Sequence, residues 1–342
     1  MPLLPVSEFE KFSPVFRGKV GNAFAGFLRR VLSIKTLSDL NDRIDDKEGA
    51  SFAGALLDEL GLNYDLGHSD RILSLPEGSF ITISNHPYGG LDGIILVDLI
   101  GHLRNDFKVM VNEFLNLVGG LAPSWIAVNP KNELQKEVTA RNIHGVREVL
   151  GHLAGGHPVG FFPSGAVSDL KLREMRIRDR EWQEPVIRLI QKARVPIVPI
   201  RFFDHNSMWF YYLGLLDWRI RTLQLPHEIV NKKYRRIRVG IGETLSVDEQ
   251  LTHKDDFGSW LREKVYGCLC LTSLKSTMTS RQGAEINLRI FHCCWAKSVI
   301  FAVHNGVLAQ LVERQVRNLE VRSSILLCST GRGCCLWQHP CF

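Results

Sequence analysis

The first 267 residues contain no cysteine; all eight lie beyond them, at Cys268, Cys270, Cys293, Cys294, Cys328, Cys334, Cys335 and Cys341. A secreted domain stapled by disulfides would not leave its main body bare, so that class is excluded. The adjacent pairs Cys293-Cys294 and Cys334-Cys335 lack the separation usual between zinc ligands, and no metal is expected. No stretch reaches the roughly 18 uninterrupted apolar residues that a spanning helix needs. The N-terminus has neither the short apolar core nor the small-residue cleavage site of a secretory signal, so a cytoplasmic protein is expected. Zinc-finger, basic-zipper and aromatic RNA-binding signatures are missing too, which argues against nucleic acid as a partner.

What is present is ordinary for a globular chain: 342 residues, 45% hydrophobic and 23% charged, enough to bury a sizeable core. The net charge of +6 suits an anionic membrane surface or an acidic carrier protein at least as well as a polynucleotide. Residues 11–38 hold six basic residues and no acidic one. Phe16, Val20, Phe24, Phe27, Leu28 and Val31 fall beside those charges at helical spacing. Two readings are open: a helix lying in a membrane interface, or an amphipathic helix covering the core.

Further along, residues 50–62 read as a helix ending near Gly61. Strand-like runs at 79–84, 108–111, 125–128, 158–162, 195–203 and 236–241 then alternate with helical patterns at 91–103, 131–154 and 184–193. That alternation predicts an α/β fold with a mixed, largely buried sheet flanked by helices. Three regions are expected: an N-terminal amphipathic helical region (1–65), a central domain (66–265) and a tail (266–342). The tail is cysteine-rich, has no steady period, and around residues 306–330 resembles translation across transfer-RNA genes. It reads as a frameshift or read-through, the alternative being a genuine accessory segment.

The chemistry concentrates in Ser84-Asn85-His86-Pro87-Tyr88-Gly89-Gly90-Leu91-Asp92-Gly93. A hydrophobic strand ends at Ser84, Pro87 with Gly89-Gly90 forces a turn, and an apolar helix begins near Leu91. Asp92 in the first turn of that helix is favoured by the helix dipole and can fold back toward His86. A carboxylate on one imidazole nitrogen fixes the tautomer and frees the other to take a proton. Such a base suits the deprotonation of a hydroxyl that attacks a thioester. One His and one Asp carry little weight alone, since the chain has twelve histidines.

Their company adds weight. Asn85-His86 followed by Asp92 resembles the first motif of the glycerolipid and lysophospholipid acyltransferase family, with one residue more than the usual four between histidine and aspartate. The expanded form looks like that family's bacterial hemolysin-like branch, similar to ornithine-lipid O-acyltransferases, and the two glycines are expected to absorb the extra residue. Phe162-Pro163-Ser164-Gly165-Ala166-Val167-Ser168 resembles the third motif, with Ser164 where the family has glutamate. Residues 195–200 resemble the fourth. The second motif's arginine has no counterpart at 125–130; Lys131, Arg173, Arg176 and Arg178 are the basic residues that could substitute. The run 171–180 is either a solvated helix face or a contact for an anionic ligand. Asn206-Ser207 and residues 219–222 also follow the branch pattern, without an assignable role.

The resemblance implies an acyl transfer from an acyl carrier protein or coenzyme A thioester to a lyso-lipid hydroxyl, with no other cofactor. His86 and Asp92 would be catalytic. Asn85, Gly89, Gly90, Phe162, Pro163, Ser164, Gly165 and Ser168 would bind substrate. The acceptor implied is lyso-ornithine or another lyso-aminolipid, with lysophosphatidic acid as runner-up, at the inner face of the membrane. Two rivals remain: a lipid serine hydrolase using Ser164 or Ser168, although neither sits in a nucleophile elbow, and a non-catalytic membrane-binding protein.

Overall fold

A computed structural model describes residues 18, 32–112, 118–128, 140–216 and 218–270. Most of the basic 11–38 segment, Lys131 and the chain beyond 270 therefore lie outside the described residues.

The chain forms α1 (Ile34–Arg43), α2 (Gly49–Glu59), β1 (Asn63–Gly67), β2 (Ile81–Ser84), α3 (Gly90–Gly101), β3 (Lys108–Asn112), β4 (Trp125–Val128), α4 (Ala140–Ala154) and β5 (Val159–Phe161). It continues through β6 (Asp169–Lys171), β7 (Arg176–Arg178), α5 (Glu184–Ala193), β8 (Ile197–Phe202), α6 (Met208–Leu216), α7 (Trp218–Leu223) and α8 (Leu225–Asn231). β9 (Arg236–Ile241), α9 (Val247–Thr252) and α10 (Phe257–Gly267) complete it. Seven strands form one sheet in the order β1-β9-β8-β2-β5-β3-β4. Every neighbouring pair is parallel except β8–β9.

A sheet of this kind needs cover on both faces, and the central strands show it. All four residues of β2 are buried, as are five of the six in β8. One face packs against α2 and α3, where Phe52, Leu57, Ile95 and Leu99 meet Val109 and Val239. The other carries α4, α5 and α10, with Val149, Ile190 and Leu261 against Ile81, Phe161 and Ile197. Every residue of α3 is buried. A helix rich in Leu, Ile and Val belongs in the interior, and its buried Asp98 accepts there from the Tyr64 hydroxyl at 2.7 Å.

The α/β sandwich is the fold that the alternating pattern predicted. Several details differ. β1 crosses position 65 and pairs with β9, and α2 shares a core with α3, so the described residues before 66 form one body with the sheet. The run 171–180, for which a helix face is one of the two readings above, lies mostly on an antiparallel hairpin that pairs β6 with β7. At the other end, Cys268 and Cys270 are buried. Arg201 bonds the carbonyls of Tyr266 and Cys268, and the Leu269 carbonyl packs beside Gly67 and Gly240. The packed body thus extends to Cys270, past the expected boundary at 265. Burial pushes the Cys268 thiol up to about 12, so it rests as an unreactive core group.

Candidate active site

β2 and β5 are hydrogen-bonded neighbours running in the same direction, with Ile81 opposite Val159 and Ile83 opposite Phe161. Their C-terminal ends therefore open side by side. The two motif segments, some 75 residues apart in sequence, become one surface at the edge of the sheet where open α/β folds place their ligands. The ring of Phe162 lies against that of His86, with centroids 4.2 Å apart and planes at 30°.

The loop from His86 to Gly89 has every backbone polar group satisfied. The His86 N–H donates to Asp179 Oδ1 (3.1 Å), and its carbonyl accepts from the Ser168 N–H (2.9 Å). Pro87 has no N–H; its carbonyl accepts from the Tyr211 hydroxyl (3.3 Å). Tyr88 donates to Asp92 Oδ2 (2.9 Å) and accepts from Asn206 Nδ2 (3.3 Å). Gly89 donates to the same Asp92 oxygen (3.0 Å) and accepts from the Asp92 N–H (3.0 Å). A loop tied at each group holds its side chain in place before any substrate arrives.

Gly89 absorbs the extra residue. Its φ of 84° and ψ of −129° lie where only glycine is comfortable. From there the chain enters α3 with Asp92 as its third residue, a carboxylate reaching back to the N-cap amide in half of a capping box.

Asp92 is fully buried, and its Oδ2 lies 3.0 Å from His86 Nδ1. That distance is within hydrogen-bond range, but the carboxylate stands off the ring's N–H direction, so Nδ1 makes no aligned bond. Resting sites often hold such pairs loosely and tighten them around a ligand. The His86 side chain is 16% exposed, and among the described residues Nε2 has no partner. Burial raises the Asp92 pKa above the usual carboxylate range, and the contacts with His86, Tyr88 and Gly89 pull it only part of the way back.

That shift makes a stability prediction. A carboxyl whose pKa is raised by folding stabilises the fold while protonated, and the benefit is lost as pH rises through the folded pKa. Asp92→Asn removes the ionisation but keeps an oxygen for the Tyr88 and Gly89 amides. Its NH2 would occupy the place of Oδ1, which has no partner now. The variant should therefore melt at or above the wild-type temperature at neutral pH, with the gap closing as pH falls toward the ordinary aspartate range. Thermal melts across pH check this; a gap that widens on acidification would contradict the assigned shift.

The second segment forms a tight turn. Gly165, at φ 61°, donates its N–H to the Phe162 carbonyl (2.9 Å). Pro163 is buried, and its carbonyl accepts from the Gln183 N–H. Ser164 is buried and donates its hydroxyl to the Ala166 carbonyl (2.8 Å). The Ser168 hydroxyl donates to Asp179 Oδ1 (2.5 Å). Neither serine hydroxyl bonds the His86 ring. Gly165's own amide is engaged within the turn, whereas those of Ala166 and Val167 make no hydrogen bond among the described residues.

Asn85 faces the sheet. Its amide donates to the Phe202 carbonyl and accepts from the Phe202 N–H, both at 2.8 Å, so this predicted substrate contact is occupied joining β2 to β8. Asn85→Ala would orphan two buried backbone groups. At about 1–3 kcal/mol each, the expected loss is several kcal/mol of unfolding free energy, readable by denaturant titration. A loss under about 1 kcal/mol would count against the joining role.

Among the residues that brace this site, Ser207 and Arg221 fall in segments that follow the branch pattern, whereas Asp169, Asp179 and Glu228 carry no signal in the sequence. Asp179 is buried and holds both the His86 backbone and Ser168. Arg221, 5% exposed, bonds the carbonyls of Val167 and Ser168 and pairs with Asp169, which also binds Arg180 at 2.7 Å. Burial would raise the Asp169 pKa, but these two guanidinium groups outweigh it and hold the carboxyl low. Behind Tyr88, the buried Glu228 accepts from Ser207 and from Lys232, whose ammonium lies 5.6 Å from the Tyr88 ring centroid. Of the basic residues that could substitute for the second motif's arginine, Arg173, Arg176 and Arg178 are exposed on the β6–β7 hairpin.

An imidazole beside a buried carboxylate, at the mouth of a parallel sheet and next to a proline-glycine turn, is an arrangement that can take up a proton. The profile of the acyltransferase family matches residues 10–270, and the chain belongs to that family and is an acyltransferase. A lyso-glycine lipid O-acyltransferase from Bacteroides thetaiotaomicron is 26% identical over 227 residues, covering 64% of this chain and 79% of that protein. A lyso-glycine lipid O-acyltransferase from Phocaeicola vulgatus is 26% identical over 246 residues, covering 68% and 84%. The crystal structure of the 1-acyl-sn-glycerophosphate acyltransferase PlsC from Thermotoga maritima aligns with a TM-score of 0.44 and 14% identity, over 75% of this chain and 90% of that one.

Proposed function

We propose that this acyltransferase moves a fatty acyl group from an acyl thioester to the hydroxyl of a lyso-aminolipid, with His86 as the base. The observation that carries the reading is the His86 ring itself, with Nδ1 beside the buried Asp92 carboxylate and Nε2 unpartnered, on a loop whose backbone is fully tied.

The steps balance simply. Nε2 accepts the proton of the acceptor hydroxyl as that oxygen attacks the thioester carbonyl carbon. The negative charge then falls on the former carbonyl oxygen, for which the amides of Ala166 and Val167, unbonded among the described residues, are the candidate donors. The carbon–sulfur bond breaks, the thiolate takes the proton from His86, and an ester and a free thiol leave. Since the acceptor is itself the nucleophile, the scheme needs no covalent acyl-enzyme. Asp92 stabilises the imidazolium between the two proton transfers.

The donor in this reading is an acyl carrier protein or coenzyme A thioester, and the enzyme works peripherally at the inner membrane face. An amino-acid lipid is favoured as acceptor by the hemolysin-like form of the first motif, by Ser164 in place of glutamate, and by two relatives that act on lyso-glycine lipid. No helix among the described residues is long and apolar enough to cross a membrane. The serine-hydrolase rival loses ground because Ser164 and Ser168 have their hydroxyls bonded away from His86.

The test supplies labelled acyl thioesters of carrier protein and of coenzyme A in parallel. Each is offered lyso-glycine lipid, lyso-ornithine lipid, lysophosphatidic acid or no acceptor. Transfer to an aminolipid at a kcat/KM well above that for lysophosphatidic acid is expected. Preference for lysophosphatidic acid would overturn the acceptor, and lipid cleavage without transfer would overturn the reaction.

A further inference from the structure

We infer that α6, α7 and the β6–β7 hairpin form the surface on which the enzyme docks to an anionic lipid bilayer. Helix α6 has the sequence Met-Trp-Phe-Tyr-Tyr-Leu-Gly-Leu-Leu, apolar all round, yet only Phe210 and Tyr211 are buried. Trp209 (61% exposed), Leu216 (78%) and Trp218 (53%) stand in solvent, with Tyr212 and Leu223 nearby in sequence. A helix this apolar is ordinarily covered, and exposed apolar surface on this scale marks an interaction site.

The neighbouring hairpin says what covers it. The buried side of α6 packs on the hairpin, with Leu170 and Ile177 against Phe210 and Tyr211. At the hairpin turn, Leu172 and Met175 are exposed, Met175 at 75%. They are flanked by Arg173, Arg176 and Arg178, also exposed; the one acidic residue in that turn, Glu174, is paired with Arg178 at 3.3 Å. Tryptophan and tyrosine rings beside apolar side chains and a row of cations match the layers of a bilayer interface: acyl chains, headgroup boundary, anionic phosphates. A water-soluble apolar partner would have no use for the guanidinium groups of Arg173 and Arg176, which have no partner among the described residues.

The same elements flank the reacting histidine. Tyr211 of α6 bonds the Pro87 carbonyl, and Val167 and Leu225 of the same packed cluster meet the space beside Gly89. A bilayer seated here would lie beside the elements that hold the His86 loop. The inference rests on the proposed function only for its choice of a lipid surface over other apolar partners.

The experiment measures binding of the full chain to vesicles of phosphatidylcholine alone and of phosphatidylcholine mixed with phosphatidylglycerol, by co-sedimentation without acyl donor. The W209E/L216E double variant should lose about tenfold or more in partition to the mixed vesicles at an unchanged melting temperature. The conservative W209F/L216M variant should retain binding, and R173Q/R176Q should weaken binding to the mixed vesicles only and flatten its salt dependence. Binding by W209E/L216E within twofold of wild type would overturn the assignment. So would conversion of a dimer to a monomer by W209E/L216E with vesicle binding intact, which would give this face to a second copy of the chain. Turnover is not read, so a protein that binds vesicles through this face but transfers no acyl group would sink the proposed function and leave the surface standing.

Discussion

Replacing His86 with alanine should lower kcat/KM for acyl transfer by about 10²–10⁴ while leaving the protein folded, since that is the range over which a positioned general base acts. The structure separates loss of chemistry from loss of fold here. The backbone of residue 86 is held by Asp179 and Ser168 through groups that alanine keeps. The ring contributes its stack on Phe162 and its approach to Asp92, and both disappear. Asp92→Asn should fall in the same direction by removing the charge that stabilises the imidazolium. The double variant should be little worse than His86→Ala alone, because residues acting as one unit are not additive. Full additivity would show that Asp92 serves catalysis through something other than His86. Activity of His86→Ala within tenfold of wild type, at an unchanged melting temperature, would remove it as the base.

What could be read from the sequence depended on how local the interaction is. His86 and Asp92 lie within one strand-turn-helix unit, so turn chemistry and the helix start were enough to set them face to face. The Phe162–Ser168 turn was legible for the same reason. Helix α3 and the central strands were too, because strongly apolar segments leave little freedom about where they go. Asp179 was not, although it ties the two motifs together. It sits among the basic residues of 171–180, and its partners are 93 and 11 residues away. Asn206 and Tyr211 reach Tyr88 and Pro87 across 118 and 124 residues, contacts created only when the chain folds back past the C-terminal end of β8.

Two departures from expectation have physical causes as well. For the run 171–180 a solvated helix face is one of two readings as long as its charges are counted without their spacing, and most of it lies on the β6–β7 hairpin. Lys171 with Arg173, and Arg176 with Arg178, stand two apart, the period of a strand. β1 was missed since Asn-Tyr-Asp-Leu-Gly has almost no β preference of its own. It is a strand through its parallel register with β9, Asn63 opposite Arg236 and Gly67 opposite Gly240, and through the ion pair of Asp65 with Arg236. At Asn85 the residue was legible and its job was not. An amide beside a reactive histidine reads as a substrate contact until β8 is seen to lie within its reach.

Gly89→Ala should cost about 1–3 kcal/mol of stability and a further drop in turnover of about 10²-fold. The stability loss follows from conformation and space together. At φ 84° and ψ −129° an alanine is strained in any surroundings, and its Cβ would stand 2.9 Å from Leu225 Cδ2 and 3.1 Å from Val167 Cγ2. Leucine can yield at its tip, but Val167 belongs to the turn that Arg221 braces. The drop in turnover follows from what the glycine sets. Its N–H bonds Asp92 Oδ2, the oxygen facing His86 Nδ1, so a shift of the loop displaces the carboxylate and the ring together. If Gly89→Ala keeps wild-type stability in denaturant and wild-type turnover, the left-handed bend is not what lets this longer spacing bring Asp92 to His86.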